Sequence, residues 1–218
     1  MTEGAQPQDQ GTRIDRLLNN VRVMPVVVIE DEAHAVPLAD ALLEGGVSCI
    51  EVTLRTPAAL PAAERIARDR PEMVLGTGTV LTGGDLARSA EAGARFAVSP
   101  GLTPALAEAA RAQADCPLLP GCATASEVMA ALEAGLTRLK FFPAEAIGGA
   151  KAVASLSGPL PAARFCPTGG ITPEKAADYL SLPNVFCVGG SWVAPKQAMR
   201  DGDWAGITKL ARMASGAG

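Results

Sequence analysis

Lys140 stands in the run Arg138-Leu-Lys-Phe-Phe-Pro-Ala-Glu145, whose apolar texture reads as a short buried strand. The other four lysines, Lys151, Lys175, Lys196 and Lys209, fall in segments with helix or loop texture. Lysine is almost never fully buried unless it is paired or chemically employed. Lost solvation among Leu139, Phe141 and Phe142 disfavours the ammonium form. A neutral amine is what a lysine needs to attack a ketone and form a Schiff base. The same segment also allows a lysine whose stem packs while its charge reaches water at the strand end.

Glu51 is a second charge inside an apolar run, Cys49-Ile-Glu-Val-Thr-Leu54, and is the economical partner for Lys140. The pair reads either as a structural ion pair or as an amine nucleophile beside its proton-transfer group. Arg55 lies four residues beyond Glu51, so on a continuing strand both project to one side. Its planar fork suits a carboxylate, although a rim ion pair is an equally good reading, and Thr79 adds a hydroxyl. Thr168-Gly169-Gly170 runs into Ile171-Thr172-Pro173, where Thr172 reads as an N-cap and Pro173 as the first helical residue. Gly189-Gly190-Ser191 repeats the small-residue turn. Glycine pairs let backbone N–H groups approach an anion, and helix starts add positive potential. Two such turns in successive late loops predict a phosphate site.

These residues need a scaffold that gathers the ends of several segments. Eight β-rich runs are expected at Pro25–Ile29, Cys49–Leu54, Val74–Thr79, Phe96–Ser99, Pro117–Pro120, Arg138–Phe142, Arg164–Thr168 and Val185–Val188. Helical stretches such as Ala33–Glu44, Pro57–Asp69, Gly84–Ala92 and Ser126–Ala134 alternate with them, which implies parallel βα units. Glu44-Gly-Gly-Val, Glu91-Ala-Gly-Ala and Glu133-Ala-Gly-Leu each read as a helix end, a left-handed glycine cap and entry into a strand. The expected fold is α/β, a single-domain (β/α)8 TIM barrel. A disordered tail over 1–11, the domain over 12–218 and a short opening helix at Thr12–Val21 complete it. An open doubly wound sheet is the alternative, weakened by the lack of a G-x-G-x-x-G after the first strand. In a barrel the active site lies at the C-terminal strand ends. There the endings collect Arg55, Thr79, Ser99-Pro100-Gly101, Lys140, Thr168 and Ser191 on one rim.

Composition excludes other chemistries. At 48% hydrophobic and 19% charged, the chain can bury a large core, while 4% aromatics and a net charge of −4 argue against nucleic acid. The odd set Cys49, Cys116, Cys122, Cys166 and Cys187 has no CxxC spacing and reads as small apolar residues. A single histidine, His34, at a helix start leaves no metal-ligand motif, so neither a metal nor another cofactor is expected. There is no G-x-S-x-G elbow, and Trp192 and Trp204 read as packing residues. No signal region or membrane-length apolar run is present, and the reading is a cytoplasmic protein without a membrane partner.

Six ordered motifs now stand together: Glu51-Val-Thr-Leu-Arg-Thr56, Gly78-Thr-Val-Leu81, Ser99-Pro-Gly-Leu-Thr103, Lys140-Phe-Phe-Pro-Ala-Glu145, Phe165-Cys-Pro-Thr-Gly-Gly170 and Gly189-Gly-Ser-Trp192. From Val26 to Ala211 the chain resembles the bacterial 2-keto-3-deoxy-6-phosphogluconate and 4-hydroxy-2-oxoglutarate aldolases. The resemblance implies a class I retro-aldol reaction on a phosphorylated 2-keto acid that releases pyruvate. Lys140 would form the Schiff base and Glu51 would transfer protons. Arg55 and Thr79 would hold the pyruvate carboxylate, Pro100 and Phe142 would line the pocket, and Thr168 would meet substrate hydroxyls. Gly169, Gly170, Gly190 and Ser191 would hold the phosphate. It also implies a homotrimer. A galactonate-series aldolase shares much of the pattern. The residues themselves leave open a phosphosugar isomerase or epimerase, with Lys140 as a fixed charge, and a non-catalytic phosphometabolite-binding barrel.

Overall fold

Strand and helix alternate along almost the whole chain in the computed structural model, which describes residues 9–113 and 115–216. The first half runs α1 (Gln10–Leu17), β1 (Val23–Val27), α2 (Ala35–Glu44), β2 (Cys49–Thr53), α3 (Ala59–Asp69), β3 (Val74–Gly78), α4 (Gly83–Glu91), β4 (Phe96–Val98) and α5 (Pro104–Ala112). The second runs β5 (Leu118–Leu119), β6 (Gly121–Cys122), α6 (Ala125–Glu133), β7 (Arg138–Phe141), α7 (Gly149–Ser155), β8 (Arg164–Pro167), α8 (Pro173–Leu180), β9 (Val188–Gly190), α9 (Lys196–Arg200) and α10 (Trp204–Ser215).

All strand pairs are parallel, in a six-stranded sheet ordered β5-β4-β3-β2-β1-β9 and a three-stranded sheet ordered β6-β7-β8. β5 falls within the fifth expected strand, and β6 continues past its expected end at Pro120 into the other sheet. Pro120 lies at the break, because proline has no N–H to give a ladder; its carbonyl still accepts from Lys140 N–H at 2.8 Å. Two isolated parallel bridges, Phe165 with Val185 and Thr168 with Gly189, connect the last two strand segments.

The pleat sorts the side chains onto two faces. Ile50, Val52, Ala97, Leu118, Leu139, Phe141 and Phe165 pack with the helices in the larger core. Met24, Cys49, Phe96, Val98, Leu119, Cys166 and Cys187 form a second core from strands of both sheets, joined by Ile14 and Leu18 from the α1 region. Residues 10 and 11, expected in the tail, are helical. The reason is Gln10, whose side-chain amide donates to the carbonyls of Leu118 and Arg138 and accepts from the N–H groups of Thr137 and Arg138. Residues 1–8 of the expected tail lie outside the described residues.

Local chemistry sets the connections. Gly46, Gly93 and Gly135 take φ of 80°, 85° and 80°, the left-handed helix exits anticipated from the repeat. Thr82 with Asp85 and Thr124 with Glu127 form reciprocal capping boxes. N–H groups, Ala123's foremost, hold the Glu127 carboxyl below its usual range. Its contribution is therefore present at neutral pH and is lost as pH falls through that depressed value. Thr124→Ala should lower unfolding free energy by about 1 kcal/mol, read as a shifted urea midpoint with an unchanged slope. Among the described residues, no helix is long and apolar enough to cross a membrane.

Candidate active site

Alternation along β2 and β7 decides where the two buried charges go. Leu139 and Phe141 belong to the larger core, so Lys140 between them faces the other way, as does Glu51 between Ile50 and Val52. The two meet there. Lys140 Nζ lies 3.2 Å from Glu51 Oε1 and 3.4 Å from Oε2, with Lys140 5% and Glu51 0% exposed. The lysine does not snorkel to water. Its ammonium position is also 5.5 Å from the centre of the Phe142 ring.

Space for the carboxylate comes from a missing side chain. A Cβ on Gly78 would come within 2.0 Å of Glu51 Oε1 and 2.7 Å of its carboxyl carbon. Glycine inside a strand marks such a close approach, the signal by which the sequence could have shown this residue. Gly78→Ala should push the carboxylate off Lys140, and a displacement near 1 Å costs about 10²-fold in turnover. Steady-state kcat with an unchanged circular dichroism spectrum checks this.

Arg55 lies beyond the strand. β2 ends at Thr53, and Arg55 N–H turns back to the Thr53 carbonyl at 2.8 Å, so strand alternation with Glu51 does not extend to it. Arg55 is exposed, and its Nε donates to Thr79 Oγ1 at 2.9 Å. Thr79 has φ of 61°. A β-branched residue there is a true backbone outlier, costing about 1–3 kcal/mol and held only by its surroundings. Thr79 directly follows Gly78, the residue packed against the Glu51 carboxylate.

The remaining candidates lie at or just beyond the ends of β4, β7, β8 and β9. Pro100 is exposed, and its carbonyl packs so close to Gly121 that a Cβ there would meet it at 2.2 Å. Gly121 is the register partner of Lys140. Thr168 is buried, and its Oγ1 lies where a Gly189 Cβ would fall, at 2.3 Å. Gly169 and Gly170 have φ of 107° and 76°, a turn only glycine makes without strain. Gly190 departs from expectation. It is extended, at φ −130°, and Gly189 and Gly190 pair in register with Met24 and Pro25 of β1 instead of forming a turn. A Cβ on Gly190 would come 2.7 Å from Trp192 Nε1, a buried indole nitrogen without a partner among the described residues. Ser191 is exposed just beyond the strand.

His34 stacks edge-on against Trp204, with ring centres 5.6 Å apart. All five cysteines are buried thiols, and burial raises Cys49 and Cys187 well above the usual range. Among the described residues, no group of three or more His, Cys, Asp or Glu side chains is placed to hold a metal ion.

The chain has close counterparts. The family model for KDPG and KHG aldolases matches residues 14–210. The KHG/KDPG aldolase of Escherichia coli strain K12 is 50% identical over 203 residues, 93% of this chain and 95% of that one. The crystal structure of KDPG aldolase from Legionella pneumophila, with pyruvate captured as a covalent carbinolamine intermediate, superposes with a TM-score of 0.88 at 43% identity, covering 95% of this chain and 97% of that one. The Zymomonas mobilis ZM4 aldolase with 3-phosphoglycerate gives 0.87 at 51% identity, covering 93% and 94%. A buried Lys140–Glu51 pair on a parallel α/β scaffold, matched at this identity over nearly its full length, makes this chain a member of the KDPG and KHG aldolase family.

Proposed function

We propose that this protein is a class I aldolase cleaving 2-keto-3-deoxy-6-phosphogluconate to pyruvate and glyceraldehyde 3-phosphate, and that it also cleaves 4-hydroxy-2-oxoglutarate to pyruvate and glyoxylate. The observation that carries the reading is the enclosed contact of Lys140 Nζ with Glu51, 3.2 Å apart. An amine must be neutral to attack, and a carboxylate within hydrogen-bond reach can take its proton. Lys140 adds to the C2 ketone to give a carbinolamine, which loses water to leave a protonated imine. Glu51, directly or through water, then removes the proton of the C4 hydroxyl. The C3–C4 bonding pair flows into the imine, the aldehyde departs, and the enamine left on Lys140 is protonated at C3. Water hydrolyses the resulting imine, releasing pyruvate and the free amine.

Arg55 and Thr79 hold the pyruvate carboxylate in this scheme, the strained Thr79 fixing the hydroxyl that Arg55 grips. Pro100 and Phe142 line the approach and Thr168 meets the substrate hydroxyls. Gly169, Gly170, Gly190 and Ser191 serve the phosphate, Gly190 by its place beside Ser191 and not as a turn. Remote phosphate binding energy can orient the reacting end. The same reading takes residues 10–216 as one domain whose two sheets close into a (β/α)8 barrel across Pro120 and the Thr168–Gly189 bridge. It also takes the protein as a cytoplasmic homotrimer.

Pyruvate release, coupled to lactate dehydrogenase, tests the substrate assignment. The panel holds 2-keto-3-deoxy-6-phosphogluconate, its galactonate isomer and 4-hydroxy-2-oxoglutarate. The gluconate-series acid should turn over with the highest kcat/KM. No pyruvate from any of the three rejects the proposal. Ser191→Ala should raise KM for the phosphorylated acid about tenfold, the loss of roughly one good hydrogen bond to a charged group, and leave 4-hydroxy-2-oxoglutarate unaffected.

A further inference from the structure

Glu145 closes the Lys140-Phe-Phe-Pro-Ala-Glu motif, yet the cleavage scheme gives it no part. Its backbone N–H donates to the Gly169 carbonyl at 3.1 Å, and the preceding Ala144 N–H donates to the Thr168 carbonyl at 2.8 Å. In a trans peptide the carbonyl and the following N–H point in opposite directions. Fixing these two carbonyls toward the β7 loop therefore turns the Gly169 and Gly170 N–H groups away from it. Across the Thr168–Gly189 bridge the Gly169 N–H faces the Gly189 carbonyl, while among the described residues the Gly170 N–H meets no acceptor.

The side chain of Glu145 completes the fixture. Its Cβ and Cγ lie 3.0 and 3.2 Å from where a Gly170 Cβ would be, so the stem lies directly against the turn. One carboxylate oxygen accepts from Tyr179 Oη at 2.5 Å and the other is ion-paired with Lys175. Lys175 and Tyr179 are four residues apart on α8, the helix that leaves the turn. Lys175 and Tyr179 hold the Glu145 carboxyl below its usual range, and burial and the Glu145 carboxylate raise the Tyr179 phenol. At neutral pH Glu145 is thus a carboxylate and Tyr179 a neutral phenol.

We propose that Glu145, Lys175 and Tyr179 form a charge-neutralised clamp that positions the Thr168–Gly170 turn for a phosphate. Glu145 anchors the turn, and Lys175 cancels a carboxylate that would otherwise repel the incoming dianion. Both are positioning residues; neither touches the substrate. This inference rests on the phosphate assignment made above.

Three variants test it with phosphorylated and unphosphorylated substrates side by side. Glu145→Ala and Lys175→Met should each raise KM for 2-keto-3-deoxy-6-phosphogluconate about tenfold, with kcat within about twofold and 4-hydroxy-2-oxoglutarate kinetics unchanged. Lys175→Met/Glu145→Gln should recover most of the affinity lost in Lys175→Met, because the uncompensated carboxylate is gone. If the double variant is as impaired as Lys175→Met, Lys175 binds the phosphate itself and the clamp is rejected. Equal losses on both substrates, or no change in either single variant, also reject it. Ser191→Ala separates the two levels: if it impairs phosphate use while Glu145→Ala does not, only the clamp fails. If neither does, the phosphate assignment falls with it.

Discussion

Replacing Lys140 with alanine is expected to reduce aldol cleavage by at least about 10⁴-fold, the loss of more than about 5 kcal/mol of transition-state stabilisation. The other four lysines, Lys151, Lys175, Lys196 and Lys209, are all exposed, so none can replace an amine buried beside Glu51. Alanine also leaves the Glu51 carboxylate enclosed without its cation, which destabilises the fold by itself. Lys140→Arg separates the two effects. It keeps a cation against Glu51 but offers no primary amine that can lose a proton and condense with a ketone. Both variants should be inactive in the pyruvate-release assay, and the arginine variant should keep a cooperative thermal transition. Substantial turnover by folded Lys140→Arg would remove the covalent step from the account.

Glu51→Gln is expected to lower turnover by about 10²–10⁴-fold, the usual contribution of a positioned acid–base group. The amide is nearly isosteric, so the 0%-exposed site remains filled and Gly78 still leaves room for it. What disappears is a group that can accept a proton from Lys140 and from the C4 hydroxyl. Imine formation with pyruvate should then survive at a slower rate while carbon–carbon cleavage nearly stops. Single-turnover measurement of the two steps checks this, and an unchanged cleavage rate would take proton transfer away from Glu51.

The central pair was legible in the sequence because two physical rules overlap at it. A charge inside an apolar strand needs a partner, and period-two alternation sends Lys140 and Glu51 to the face opposite Leu139 and Ile50. The glycine caps at 46, 93 and 135 were legible for a similarly local reason, since a left-handed helix exit has few other occupants. The departures came where pairing between distant segments overrode local texture. Pro120 splits a strand because its ladder position demanded an N–H. Gly190 reads as a turn in isolation, yet Pro25 across the ladder and the indole of Trp192 make it an extended, close-packed strand residue. Arg55 still reaches Thr79, but through a turn after Thr53 and not along a strand. Gln10 extends α1 because its partners, Leu118 and Arg138, lie more than a hundred residues away.

Formation of a covalent imine on one particular amine is the claim on which everything else depends. Incubating the protein with pyruvate and sodium borohydride would reduce that imine to a stable secondary amine, and peptide mass spectrometry would then locate it. The account predicts a single adduct, on Lys140, with activity lost in proportion to labelling. An adduct on another lysine, or none in a preparation that still releases pyruvate, would contradict it.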